Sequence, residues 1–175
     1  MSEVLRGRVW KFGDNIDTDI IAPGDTISFG LGDADEERIV KENAFRDVRP
    51  EFYKRVERGD ILVAGRNFGL GSHREPANKA LRSLGFTAVV AESIARLFFR
   101  NSIAIGAHAL RVPGITAMVE EGDKLEIDLD KWRIRNLTRG TEKQIEPYSE
   151  LVQEILEGGG IVAVLKKRFE SESRD

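Results

Sequence analysis

Residues 57–93 read ERGDILVAGRNFGLGSHREPANKALRSLGFTAVVAES, and this stretch decides the fold. A turn at ERGD precedes the apolar run ILVAG at 61–65, which has the length and composition of a buried strand. From about Glu75 to Leu84 the spacing predicts a helix, with Gly85 as its C-terminal stop. TAVVAES at 87–93 returns to strand. Between the first strand and the helix lies the corner RNFGLGSHRE. There Gly69 and Gly71 let the backbone turn sharply and approach a ligand closely.

Two readings compete for that corner. Ser72-His73-Arg74-Glu75 fits the capping-box template, a serine at the N-cap with glutamate three residues on, which needs no catalytic role. Pro76 opposes it, because a proline inside the first turn fits best at the first or second helical position. A start at Arg74 or Glu75 leaves Ser72 projecting from the glycine turn. Helix N-termini favour anions, and Arg74 offers a planar fork to a carboxylate.

Outward from this stretch, LRGRVWKF at 5–12 alternates as a strand. GDNIDTDIIAPGD at 13–25 reads as a structured loop rich in Asp, Gly and Pro. Residues 26–35 lack any regular period and read as a mobile loop. A helix is expected from Asp35, broken by Pro50, with a second short helix over PEFYKRV. After 93, IARLFFRNSIAIG starts helical, HALRV at 108–112 is a strand, and 122–138 alternates as a β-hairpin. A helix, a Gly-rich turn and a second helix close a single domain over 1–168, with 169–175 a frayed tail. Strand–helix alternation flanked by antiparallel hairpins gives a three-layer or barrel-like α/β domain.

Composition narrows the chemistry. A net charge of −3 gives no basic field for nucleic acid or an anionic membrane. The chain has no cysteine, so it can supply neither a thiol nucleophile nor thiolate ligands to zinc or an iron–sulfur cluster. His73 and His108 match no helical metal pair, so no metal is assigned to this chain. The apolar runs are too short to span a bilayer. MSEVLRGRVW carries charge where a signal peptide needs an apolar core, so a cytoplasmic location is expected. Arg96 and Arg100, four apart, read as one helix face. The Asp17-Thr18-Asp19 cluster reads as a turn former unless the fold brings it beside Ser72.

GDNIDTDIIAPG, GDILVAGRNFGLGSHRE and AESIARLFFRNSIAIG, in that order, resemble the small subunits of the aconitase superfamily. The likeness runs from about Gly7 to Ile161 and is nearest to 3-isopropylmalate dehydratase and homoaconitase. It implies a swivelling β/β/α domain of the aconitase C-terminal type, docked on a large subunit that carries a 4Fe-4S cluster. It implies a hydro-lyase that isomerises a hydroxy acid by dehydration and rehydration. Ser72 matches the family's base for the carbon-bound proton, Arg74 its carboxylate-binding arginine, and Asp19 its active-site aspartate. His73 stands where the family has a second serine, and Pro76 where a histidine is common.

Family specificity is expected in the loop over residues 24–35, GDTISFGLGDAD. Users of tricarboxylates place an arginine there, whereas this loop has neither Lys nor Arg. Ile27, Phe29 and Leu31 offer apolar surface, where burying an isopropyl group would yield about 1.5–3 kcal/mol. Isopropylmalate is therefore the expected substrate. Homoaconitate or another alkyl-malate is the alternative, and a non-catalytic anion-binding module is the rival of another class.

Overall fold

The computed structural model describes residues 3–26, 33–72 and 75–172. Seven strands are present: β1 (Val4–Lys11), β2 (Ile61–Ala64), β3 (Ala88–Ala91), β4 (His108–Arg111), β5 (Lys124–Asp128), β6 (Arg133–Asn136) and β7 (Thr141–Gln144). They form one sheet in the order β4-β3-β2-β1-β5-β6-β7. The half from β1 to β4 is parallel, and the half from β1 through β5 and β6 to β7 is antiparallel. The helices are α1 (Thr18–Ile21), α2 (Asp33–Asn43), α3 (Pro76–Leu84), α4 (Arg96–Ala104), α5 (Ile115–Met118), α6 (Glu150–Glu157) and α7 (Ile161–Glu172).

Every position of β2 and β3 is buried, as expected of parallel strands covered on both faces. Alternate side chains therefore enter two cores. Trp10, Phe12, Leu62, Ala64, Val89 and Ala91 face a core filled by α2, α3 and a group of aromatic rings. Phe52 lies at its centre, edge-on to Trp10 at 4.9 Å and to Phe45 at 5.4 Å. Val9, Ile61, Val63 and Val90 face a second core, which they share with Leu125, Ile127 and Ile134 of the antiparallel half. The sheet must curl for β5 and β6 to reach the opposite face of the parallel strands. Helices, parallel strands and the curled antiparallel half make the three layers of the expected barrel-like α/β architecture.

A buried carboxylate holds the junction of the two halves. Glu126 on β5 is 3% exposed and accepts from Arg6 Nε at 2.7 Å and from Arg135 Nε and Nη2 at 2.9 and 2.6 Å. The bond from Arg6, outweighing burial and helped by Arg135, holds its carboxyl below the usual range. A depressed folded value means that the stabilisation is fully present above the unfolded value, near 4.5. It is lost as pH falls through the folded one. Glu126→Gln is expected to lower the urea midpoint at pH 7, with the gap to the wild type closing below about pH 4. A gap independent of pH would remove the ionic account.

The structure departs from the sequence reading at several elements, among them the short helices α1, inside the expected 13–25 loop, and α5. The hairpin is extended by β7, whose four residues are all exposed and carry no apolar alternation. Charged residues on such an edge oppose pairing with other chains. The short helix expected at PEFYKRV is a single 3₁₀ turn, Phe52–Lys54, because Glu51 before it takes a left-handed φ of 56°. The last helix runs to Glu172, into the tail expected to fray.

Candidate active site

β1, β2 and β3 end at one edge of the sheet, and the segments leaving them remain paired. Gly65 N donates to Gly13 O at 3.0 Å, Asn15 N to Arg66 O at 2.7 Å, Gly69 N to Ile16 O at 2.7 Å and Thr18 N to Leu70 O at 2.9 Å. On the other side, Phe68 N donates to Ser93 O at 3.0 Å and Ala95 N to Phe68 O at 2.9 Å. The Asp-rich loop, the glycine corner and the 92–95 segment thus continue the ladder at the carboxyl ends of the strands. In open α/β sheets this is where ligands bind.

Local chemistry explains why these loops hold their shape. Asn15 and Asn67 take left-handed φ values of 58° and 60°, a region asparagine tolerates. Their side-chain amides bond each other at 2.9 Å. Asp14 Oδ1 accepts from Arg66 N at 2.7 Å, and Ser93 Oγ accepts from Asn67 N at 2.9 Å. Asp17 caps α1 by accepting from Ile20 N at 2.7 Å, so its turn-forming role is real.

The corner itself is set by Gly69 and Gly71, with φ of +73° and +108°, followed by half-buried Ser72. Ser72 N donates to Thr18 Oγ1 at 2.8 Å, and Thr18 is only 5% exposed. The fold therefore does bring the Asp-Thr-Asp cluster beside Ser72, through its threonine. Helix α3 starts with Pro76 at its first position, and Glu75 at the N-cap makes no side-chain cap bond. The capping box is not formed, and Ser72 stands upstream of the helix.

Asp19 is exposed in the first turn of α1 and makes no ion pair among the described residues. Arg74 and His73 lie outside the described residues, as do Ile27, Phe29 and Leu31. Arg96 and Arg100 are exposed on α4, as a helix face. Asn15, Asn67 and Ser93 stand out in the sequence for no chemistry of their own, and Thr18 enters it only as the middle of the Asp-Thr-Asp cluster. The two asparagines, each two residues from a glycine, are a signal for left-handed turns, whereas Thr18 and Ser93 act only through tertiary pairing.

Thr18→Val keeps the shape and removes the hydroxyl that accepts from Ser72 N. The variant is expected to lose about 1–3 kcal/mol, read by urea unfolding. A loss within error would show that the Thr18–Ser72 bond does not hold the corner.

At the start of the 24–35 loop, Arg46 Nη2 donates to both oxygens of Asp25, at 2.7 and 2.6 Å. The bond from Arg46 holds the Asp25 carboxyl below its ordinary value, and the same pair raises Arg46. No group of three His, Asp or Glu among the described residues could hold a metal. No helix among them is long and apolar enough to cross a membrane.

Residues 31–114 match the aconitase C-terminal domain family. The chain is 46% identical, over 93% of its length and 91% of the relative, to the methanogen homoaconitase small subunit of Methanothermobacter thermautotrophicus. It is also 46% identical, over 91% of its length and 96% of the relative, to the 3-isopropylmalate dehydratase small subunit 1 of Archaeoglobus fulgidus. A crystal structure of 3-isopropylmalate dehydratase (leuD) from Methanocaldococcus jannaschii has the same fold. Its TM-score is 0.89 at 37% identity, covering 98% of this chain and 99% of that one.

Proposed function

The chain belongs to the aconitase C-terminal domain family, and on that premise we propose that it is the small subunit of a two-chain hydro-lyase. The reaction is the interconversion of 2- and 3-isopropylmalate by dehydration and rehydration, in leucine biosynthesis and in the cytoplasm. The observation that carries this reading is near full-length similarity to proteins named as small subunits of such enzymes.

The partner is a large subunit, and a 4Fe-4S cluster is assigned to it. This chain has no cysteine, and its described residues offer no ligand set that fits such a group. What this chain contributes is a proton acceptor and anchors for the substrate. Ser72, at the mouth of the glycine corner, takes the carbon-bound proton and returns it on rehydration. A serine hydroxyl is a weak base in water. It can act as an alkoxide only in a water-poor site with positive charge and hydrogen-bond donors around it. Arg74 supplies such charge and binds a substrate carboxylate, and Asp19 orients the reacting groups.

Isopropylmalate is favoured over a tricarboxylate by the 24–35 loop. The loop has no Lys or Arg, and Arg46 beside it is already neutralised by Asp25. Ile27, Phe29 and Leu31 would meet the isopropyl group. Homoaconitate is the second reading, supported by the equal similarity to a homoaconitase small subunit. Anaerobic reconstitution with a cluster-bearing large subunit, then assay of isopropylmalate, homoaconitate and citramalate, separates these readings. Turnover of isopropylmalate that needs both chains supports the proposal, and preference for homoaconitate overturns the specificity argument. A small acid bound tightly by this chain alone, with no turnover in the pair, would instead favour the anion-binding module.

A further inference from the structure

Beside the glycine corner, the first turns of α4 present two arginines that form no ion pair among the described residues. Arg96 and Arg100 are both exposed, and neither makes an ion pair or side-chain hydrogen bond among the described residues. This chain is rich in acidic groups, with 30 Asp and Glu against 27 Lys and Arg, yet neither arginine has drawn a described one into an ion pair. The two guanidiniums flank a largely apolar groove of about 550 Å³, walled by Ile94, Phe99, Leu110, Tyr148 and Val152, whose other charged groups, Arg111 and Glu146, pair with each other at 3.5 Å. Leu97, on the outer side of the same helix, is 48% exposed.

The groove is continuous with the corner. Ile94 bridges to Phe68, and Ala95 N donates to Phe68 O at 2.9 Å, so the groove's first wall is also the third rung of the ladder that holds Ser72. An occupant of the groove would therefore adjoin the corner and help to exclude water from it.

We propose that this groove docks an apolar segment of the large subunit that carries carboxylates at two points, which pair with Arg96 and Arg100. The assignment rests on the reading of the chain as a small subunit. Its chemistry follows from charge complementarity: an apolar floor excludes a wholly charged segment, and two unmatched guanidiniums select carboxylates over ammonium groups. Close charge pairs at the rim of an apolar contact speed encounter and set register, while the floor supplies the buried area.

The test is a titration of the isolated chain against the large subunit, by calorimetry or sedimentation at two salt concentrations, for the wild type and Arg96→Glu/Arg100→Glu. Both side chains are exposed, so the variant is expected to melt within about 2 °C of the wild type. Its dissociation constant is expected to rise by roughly 10²-fold, with a weaker salt dependence, and turnover at saturating variant is expected to match the wild type. Reversal that leaves the dissociation constant within threefold overturns the docking site and spares the subunit reading. Unchanged affinity with lost turnover also overturns it, by moving the arginines to the substrate. A wild-type chain that binds no large subunit overturns both.

Discussion

In the assembled enzyme, Ser72→Ala is expected to lower turnover by about 10²-fold or more, on the scale of losing a central acid–base group. Assembly and stability should change little. The corner around Ser72 is held by backbone groups that alanine keeps. The Ser72 N–H bonds Thr18 Oγ1 at 2.8 Å, and Gly69 N bonds Ile16 O at 2.7 Å. Nor does helix α3 need Ser72 as a cap, since it begins at Pro76. The mutation thus separates chemistry from architecture, which few substitutions at a folded corner do. A KM close to the wild type with a reduced kcat would match a group used in proton transfer rather than in binding. Wild-type turnover in the alanine variant would remove the serine from the role of base.

Gly69→Ala is expected to damage both stability and turnover. At a φ of +73° an alanine there is strained, and its Cβ would stand 2.2 Å from Cγ of Phe98. Phe98 is 2% exposed and packs edge-on against Phe68 at 5.2 Å, so its ring has no space to retreat. Left-handed backbone costs about 1–2 kcal/mol for a non-glycine residue, and overpacking adds about 1–3 kcal/mol. For a chain of this size the melting temperature should fall by roughly 4–20 °C. Relief of the clash must push residues 69–72 away from the ladder, carrying Ser72 with them. The folded fraction should therefore be slower per molecule than the wild type. A variant with unchanged melting temperature and turnover would mean the corner is far looser than its packing indicates.

Much of this architecture could be read directly from residue order. The α3 boundaries follow from Pro76 at its start and Gly85 at its stop, the latter in a left-handed conformation with φ of +94°. The buried strands at 61–64 and 88–91 were visible as apolar runs, because both faces are covered and no polar alternation is needed. Strand β7 was not visible, since TEKQ pairs through its backbone alone and buries no side chain. His108, which the sequence marks only as matching no metal pair, has its side chain just 10% exposed, with Nε2 3.2 Å from Glu3. Tyr148 covers it from 40 residues away, a contact no local pattern encodes. At the site, the glycine corner and the Asp-Thr-Asp cluster were legible as separate motifs. Their joining through Thr18 was not, because it depends on parallel pairing between segments distant in sequence.

The sheet order has a consequence for synthesis. Strand β1 is made first, yet it lies inside the sheet, between β2 and β5, with Val4 opposite Asp128. At about 5–20 residues per second, its second neighbour leaves the ribosome roughly 6–25 s later. Until then VLRGRVWK keeps one side of its backbone unpaired, and Arg6 waits for Glu126, whereas Arg8 already has Asp60 at the start of β2 as its partner. A charged side chain on an open strand opposes pairing with a second copy, so the arginine that later binds the buried Glu126 also guards the strand that waits for it.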